Sequence, residues 1–334
     1  MPSVAEEFDC SVVIPAFNAA STITASVRSA LEQEIRCREV IVVDDGSTDG
    51  TSEIVRGIGC DRVRVIVQTN GGPSAAKNAG IRAAGGRYVA FLDSDDLWLP
   101  TYLTAVSAAL QRAPDSGLVY TDAYVFDGVT MRVRRRTAMD APDPPPADRL
   151  AFLAALLARN FIFTSATVPA SVLAEVGGYT DARVRAEEYE LWLRIVLAGY
   201  TPTYAPGPHA LYRHHAGQLS SQTESMARGH ADLFRELSLD AMPTPELRER
   251  LLERRAQIDR DVRIVAGQAG FASQAWRWRS RLGRLRKQLG LADAWYRDAP
   301  APVAAALSRL QPAPPGHVDD EGANPPPRSR DLRS

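Results

Sequence analysis

Tyr88-Val89-Ala90-Phe91-Leu92-Asp93-Ser94-Asp95-Asp96 sets an apolar run against three carboxylates packed into four residues. The apolar part reads as a strand buried in a sheet, and the acids stand where the chain leaves it. Carboxylates crowded at that point repel one another. A hard divalent cation such as Mg²⁺ or Mn²⁺ relieves the repulsion and keeps open positions for the oxygens of a diphosphate. Taken alone, the segment also reads as a solvated Asp-rich turn capping the next helix.

Working outward, β-branched runs at Ser11–Ile14, Val40–Val43 and Val63–Val67 precede Tyr88–Leu92, with helix-length segments Ser21–Gln33, Thr51–Arg56 and Ser74–Ala84 between them. This alternation predicts an α/β fold, a mixed and mostly parallel sheet flanked by helices. Open α/β sheets bind ligands beyond the carboxyl ends of their strands, so Pro15–Asn18, Asp44–Asp49 and Asp93–Asp96 are expected to converge at one edge. Further on, Thr101–Arg112 reads as a helix and Leu118–Phe126 as a strand, and the basic, proline-rich Arg132–Pro146 as a mobile loop. Leu150–Ala158 then reads as helix, Thr164–Val168 as extended chain and Glu187–Ala198 as an amphipathic helix.

The expected organisation is one α/β domain over residues 1–222, its donor half ending near 126 and its acceptor half spanning 127–222. A helical, Arg-rich appendage over 223–297 and a disordered, proline-rich tail over 298–334 follow it.

The stretch Val43-Asp44-Asp45-Gly46-Ser47-Thr48-Asp49 also follows an apolar strand. Its acids suit hydrogen bonds to a nucleobase imide or a ribose hydroxyl, and Gly46 allows a close backbone turn. Thr48 or Asp49 also fits as N-cap of the following helix, which accounts for one acid and leaves Asp44 and Asp45.

Together with Ser11-Val12-Val13-Ile14-Pro15-Ala16-Phe17-Asn18 and Gly72-Pro73-Ser74-Ala75-Ala76-Lys77-Asn78-Ala79-Gly80, these segments resemble the family 2 glycosyltransferases of the GT-A type. The match in order and spacing covers about the first 100 residues and continues at Gly177–Gly199 and Leu211–Ser220. The resemblance implies an inverting, metal-dependent enzyme that uses a nucleotide-diphosphate sugar, with UDP-sugars the commonest donors. It puts Pro15, Ala16, Phe17 and Asn18 at the base pocket, Asp45 on the base, and Asp93 with Ser94 near the ribose. Asp95 becomes the principal metal ligand, and Asp44 and Asp96 are secondary site candidates. Lys77 stands where the family often has Arg and would contact the donor's phosphates, unless it is a solvated helix lysine; Phe17 either stacks on the base or packs in the core.

Gly177-Gly178-Tyr179 followed by Glu187-Glu188-Tyr189-Glu190-Leu191-Trp192-Leu193-Arg194 resembles the family's acidic pair, with Glu-Glu in place of Glu-Asp. Helical phase sets Glu188 on the stripe of Leu191, Trp192 and Ile195 that must face the core, and sets Glu187, Glu190 and Arg194 on the outer face. Glu188 is therefore the expected general base, with Glu187 and Trp192 as secondary candidates and Glu190 paired to Arg194 at i, i+4. His215, beside His214 after Tyr212-Arg213, matches the position where the family often carries a histidine, which would complete the metal's coordination or bond to the phosphate; a surface histidine pair is the alternative.

A net charge of −1 gives no global attraction to nucleic acid, and 45% hydrophobic with 24% charged residues is an ordinary globular composition. Cys10, Cys37 and Cys60 lack metal-binding spacing and fit a reducing cytoplasmic setting. The N-terminus has no basic start or apolar run, so no secretory signal is expected, and no segment reaches the length of a membrane span. The acceptor is expected to be a saccharide, a lipid-linked group or a small molecule. Arg277–Lys287, basic with Trp276 and Trp278, reads as a solvated helix or as one resting peripherally on anionic lipid. Arg132–Arg136 is a second basic segment. Oligomeric state is not legible. A sugar nucleotidyltransferase would need a Gly-rich, Arg-containing loop after the first strand, and a Rossmann dehydrogenase would need Gly-x-Gly-x-x-Gly there; Pro15-Ala16-Phe17-Asn18 is neither. A non-catalytic nucleotide-sugar-binding protein remains as the alternative from another class.

Overall fold

The computed structural model describes residues 7–126, 132–135, 142, 145–146, 148–162, 165–180, 186–213, 223–263, 297–298 and 303. The first half runs β1 (Glu7–Ala16), α1 (Ile23–Leu31), β2 (Arg36–Asp44), α2 (Thr51–Arg56), β3 (Val63–Val67), α3 (Pro73–Ala83), β4 (Tyr88–Phe91), β5 (Leu97–Trp98), α4 (Tyr102–Arg112), β6 (Leu118–Phe126) and β7 (Arg132–Arg135). The second continues with α5 (Arg149–Ala158), β8 (Ala166–Pro169), α6 (Ala170–Val176), α7 (Glu187–Leu197), β9 (Pro202–Arg213), α8 (Thr223–Glu236), a helix α9 over 245–263, and β10 (Arg297–Asp298).

The sheet runs in the order β10-β7-β6-β8-β4-β1-β2-β3, and β9 pairs with both β5 and β6. Strands β4, β1, β2 and β3 are parallel, whereas β8 lies antiparallel to β4 and β6. This is the expected mixed α/β sheet flanked by helices. Because side chains alternate across a strand, Val12, Ile14, Ala90 and Leu92 pack with α1 and α4 on one face, while Val13, Val89 and Phe91 pack with α5 and α7 on the other. Both faces are covered, which is why these strands read as near-continuous apolar runs.

Three further features of the fold have local causes. Residues 132–135, expected within a mobile loop, form β7, whose backbone pairs with β6 and β10. Residues 202–213, to which no element is assigned from the sequence, form β9, parallel to β6 along its whole length. Pro202, Pro206 and Pro208 hide it, because proline breaks strand patterns. The register shifts around Asp122, opposite Pro206–Pro208, and Gly207 takes φ +104° in that stretch, so a bulge absorbs the prolines. Finally, α8 and α9 bury Phe234, Leu247, Leu251 and Ile258 in the same core cluster as α5 and α7. Among the described residues no helix is long and apolar enough to cross a membrane. Segments 277–287 and 304–334 lie outside the described residues.

Candidate active site

The carboxyl ends of β1, β2 and β4 converge as expected, and hydrogen bonds join their loops. Asn18, at φ +50°, donates its backbone N–H to Ser47 Oγ (2.9 Å) and accepts from the Thr48 N–H through Oδ1 (2.9 Å). The Ala20 N–H reaches Asp49 Oδ2 at 2.9 Å, and Thr51 donates its hydroxyl to Asp49 Oδ1, which holds the Asp49 carboxyl below its usual range. From the other side, Ser26 on α1 donates to the carbonyls of Ser94 and Asp96, each at 2.8 Å, and so pins the acidic turn after β4.

The base-pocket candidates separate by burial. Ala16 is buried and Pro15 is half-buried, whereas the Phe17 ring is 53% exposed, so it does not pack in the core. Asp44 is buried and caps its own turn by accepting from the Ser47 N–H at 2.9 Å. Asp45, expected on the base, is tied into the protein's own loops. It is buried, and its carboxylate already accepts from Gln68 Nε2 (2.7 Å), the Gly71 N–H (2.9 Å) and the Gly72 N–H (2.8 Å). It fastens the loop between β3 and α3. Gln68 had no sequence signal, since its partner lies 23 residues away.

Ligand oxygens of Asp93, Asp95 and Asp96 all lie within 4.8 Å of one another, with Asp93 and Asp95 half-buried and Asp96 fully buried. Arg213, at the end of β9, braces the turn: its N–H reaches Asp96 Oδ1 at 2.9 Å, its Nε reaches the Asp95 carbonyl at 2.8 Å, and its guanidinium lies 4.7 Å from the Phe126 ring centroid. Carboxylate oxygens so close are a hard donor set suited to Mg²⁺ or Mn²⁺, and two of the three residues remain reachable from solvent. His214 and His215 lie outside the described residues.

Glu188 on α7 joins this cluster through α3. Lys77, expected at the donor's phosphates or in solvent, is only 3% exposed; its ammonium is ion-paired to Glu188 Oε1 and stands 3.9 Å from Asp93 Oδ1. Burial pulls its pKa down, but Glu188 and Asp93 more than reverse this, so the amine stays protonated. The neighbouring Asn78 donates through Nδ2 to the Tyr179 carbonyl (2.8 Å) and accepts from the Tyr179 N–H (2.9 Å).

Helix α7 corrects the phase argument. Glu187 and Glu190 are both buried, not outward, while the Glu188 side chain is 17% exposed. Arg194, on the expected outer face, is tied to the segment that ends α6. It pairs with Glu190 Oε1 at 2.7 Å as expected, but it also donates to the Val176 and Gly178 carbonyls and ties α7 to that segment. Burial, then the charge of Glu188, push the Glu187 carboxyl up to about 7, and Glu187 Oε2 has no hydrogen-bond partner. Trp192, a secondary candidate, is fully buried in the core.

Residues 11–177, half of the chain, match the profile described as "Glycosyl transferase family 2". Over 137 residues the chain is 40% identical to the succinoglycan biosynthesis protein ExoO of Rhizobium meliloti (strain 1021), a match covering 40% of this chain and 38% of that protein. Among solved structures, S. aureus TarS 1-349 in complex with UDP-GlcNAc superposes with a TM-score of 0.58 at 20% identity, covering 73% of this chain and 72% of that one. The mannosyltransferase PcManGT of Pyrobaculum calidifontis, in complex with GDP-Man and Mn²⁺, gives a TM-score of 0.53 at 18% identity over 93% of this chain and 89% of its own. At such identities the two structures speak for a shared fold.

Proposed function

The chain belongs to glycosyl transferase family 2, and from that premise we propose that it moves a sugar from a nucleotide-diphosphate donor to an acceptor hydroxyl with inversion, in the synthesis of a polysaccharide, glycolipid or other glycoconjugate. The observation that carries this reading is the ion-pair chain from Asp93 through Lys77 to Glu188, which links the acid cluster at the sheet edge to the carboxylate of the acceptor half. The chain spans under two-fifths of the length of ExoO, so nothing of that protein's own substrates is carried over.

In this reading Phe17 offers an exposed face for the base, and the zipped loops of Asn18, Ser47 and Thr48 hold its backbone. Asp95 and Asp93, with Asp96 behind them, would hold Mn²⁺ or Mg²⁺, and His215 is the candidate to complete the set. A bound divalent ion supplies positive charge to the departing diphosphate. Glu188 takes the proton of the acceptor hydroxyl as that oxygen attacks the anomeric carbon. The new C–O bond forms as the bond to the diphosphate breaks, and a single displacement inverts the centre. Glu188 is preferred to Glu187 because its side chain is the more exposed of the two. Uracil is the proposed donor base, although the two neighbours carry UDP-GlcNAc and GDP-Man. Residues 1–222 are the proposed transferase unit, with 223–263 as its helical buttress. A cytoplasmic site, with peripheral membrane contact through 277–287, fits the free thiols of Cys10, Cys37 and Cys60.

The test is to incubate the purified chain with Mn²⁺ and a panel of UDP- and GDP-sugars, find the one that raises its melting temperature, and follow its transfer by NMR at the anomeric centre. An inverted product is expected. Stabilisation by a sugar nucleotide with no turnover toward any acceptor or water would favour a binding protein without catalysis.

A further inference from the structure

Lys77 is the only buried lysine or arginine among the described residues. An ammonium stripped of water is tolerated only where carboxylates replace that water, and the two that do so here come from opposite halves of the site. We propose that Lys77 is a positioning residue: it sets the Glu188 carboxylate at a fixed distance from the Asp93 end of the acid cluster and does not touch the donor's phosphates. The proposal rests on the reading of Glu188 as the proton acceptor.

Four observations support it. Only 3% of the Lys77 side chain reaches solvent, so no surface is left for a phosphate. The Tyr179 ring covers the ammonium from another side, its centroid 5.2 Å from Nζ. Asn78 clamps the Tyr179 backbone, which fixes the helical turn carrying Lys77 against the acceptor-half loop. One turn further on, α3 lies so close to β1 that a Cβ at Gly80 would collide with Val13. The lysine stem therefore springs from a rigid base, and its length sets where Glu188 stops. Proton transfer depends steeply on such distances. Shortening Glu188 to Asp should draw the carboxylate back from the acceptor, and lengthening Lys77 to Arg should push the cation toward it, so the two changes together should offset each other.

The experiment measures release of nucleotide from UDP-glucose, UDP-N-acetylglucosamine and GDP-mannose with Mn²⁺, and the affinity for UDP and GDP by calorimetry. Lys77→Met is expected to lower kcat tenfold or more while nucleotide affinity stays within threefold. Glu188→Asp is expected to lower kcat as well, and adding Lys77→Arg to it should recover activity at least fivefold. In a Glu188→Gln background, Lys77→Met should cost almost nothing further. A tenfold loss of UDP or GDP affinity in Lys77→Met with kcat intact would put the lysine on the phosphates and overturn the proposal. So would an equal kcat loss with and without Glu188, or no recovery in the Lys77→Arg/Glu188→Asp pair. Should the wild type release nucleotide from none of the donors, the functional reading fails. The positioning link is then read from melting temperatures: losses in Lys77→Met and Glu188→Gln smaller together than their sum uphold it, and additive losses overturn it.

Discussion

The side-chain amide of Asn78 pairs with the backbone of Tyr179 as a strand would, donating to its carbonyl at 2.8 Å and accepting from its N–H at 2.9 Å across 101 residues of sequence. This clamp joins α3 to the loop that follows α6. Gly178 is part of it: at φ +69°, an added Cβ would stand 2.7 Å from Asn78 Oδ1. Asn78→Ala leaves both backbone groups without partners in a half-buried place, at about 2 kcal/mol. Urea unfolding of the variant is expected to show that loss, and Gly178→Ala a loss of similar size through strain and displacement of the same amide.

Phe17→Ala separates binding from folding. A ring 53% exposed contributes little to the core, so the melting temperature should hold to within about a degree. If the ring stacks on the base, nucleotide affinity should fall by about 1–3 kcal/mol, as for other base–aromatic contacts. Calorimetry with UDP and GDP reads this directly, and unchanged affinity for both would remove Phe17 from the donor site.

How much of this was legible beforehand depended on whether the physics was local. Strand β6 at Leu118–Phe126 and helix α2 at Thr51–Arg56 have the ends their patterns suggest, and the acids of Asp93–Asp96 were readable because they follow an apolar run directly. Strand β9 was not, since its prolines are tolerated only through a bulge that the partner strand accommodates. The phase of α7 failed for a related reason. Amphipathic reasoning assumes one wet face, but Glu187 and Glu190 are buried on that side, where Arg194 binds the Val176 and Gly178 carbonyls. The ion pair of Lys77 and Glu188, 111 residues apart, leaves no trace in either segment alone.

Glu187 gives that correction a pH signature. Burial and the Glu188 charge raise its carboxyl from 4.5 to about 7 in the folded chain, so between those values the folded state holds more proton than the unfolded one. Its contribution to stability is fully present below about pH 4.5 and is lost as pH rises through 7, to an extent of about 3 kcal/mol. Glu187→Gln, which mimics the protonated form, should therefore match wild type near pH 5 and exceed it in stability near pH 8. Parallel stability curves for the two proteins over that range would refute the raised carboxyl.

Asp95→Ala tests the acid cluster. With Asp93 and Asp96 alone, the charge available to a hard divalent ion falls and one of two solvent-reachable ligands is gone. UDP binding that strengthens on adding Mn²⁺ to the wild type should lose that increment in the variant. The backbone carbonyl that holds Arg213 is untouched, so the fold should persist. Retention of the full Mn²⁺ effect would move the metal elsewhere.

Glu188→Gln bears on the chemistry itself. The amide keeps the shape of the side chain and can still accept a hydrogen bond from Lys77, but it cannot take a proton from an acceptor hydroxyl. Transfer is expected to fall by a factor on the order of 10² or more, with nucleotide affinity nearly unchanged, because the base acts on the acceptor. Glu187→Gln is expected to alter stability and its pH dependence more than transfer, since Glu187 is buried. The two variants therefore pull apart two adjacent acids that helical periodicity alone ranked for the wrong reason. Loss of transfer in Glu187→Gln with Glu188→Gln active would assign the proton to the buried carboxylate, and the ion pair with Lys77 would then serve to hold Glu188 out of the reaction.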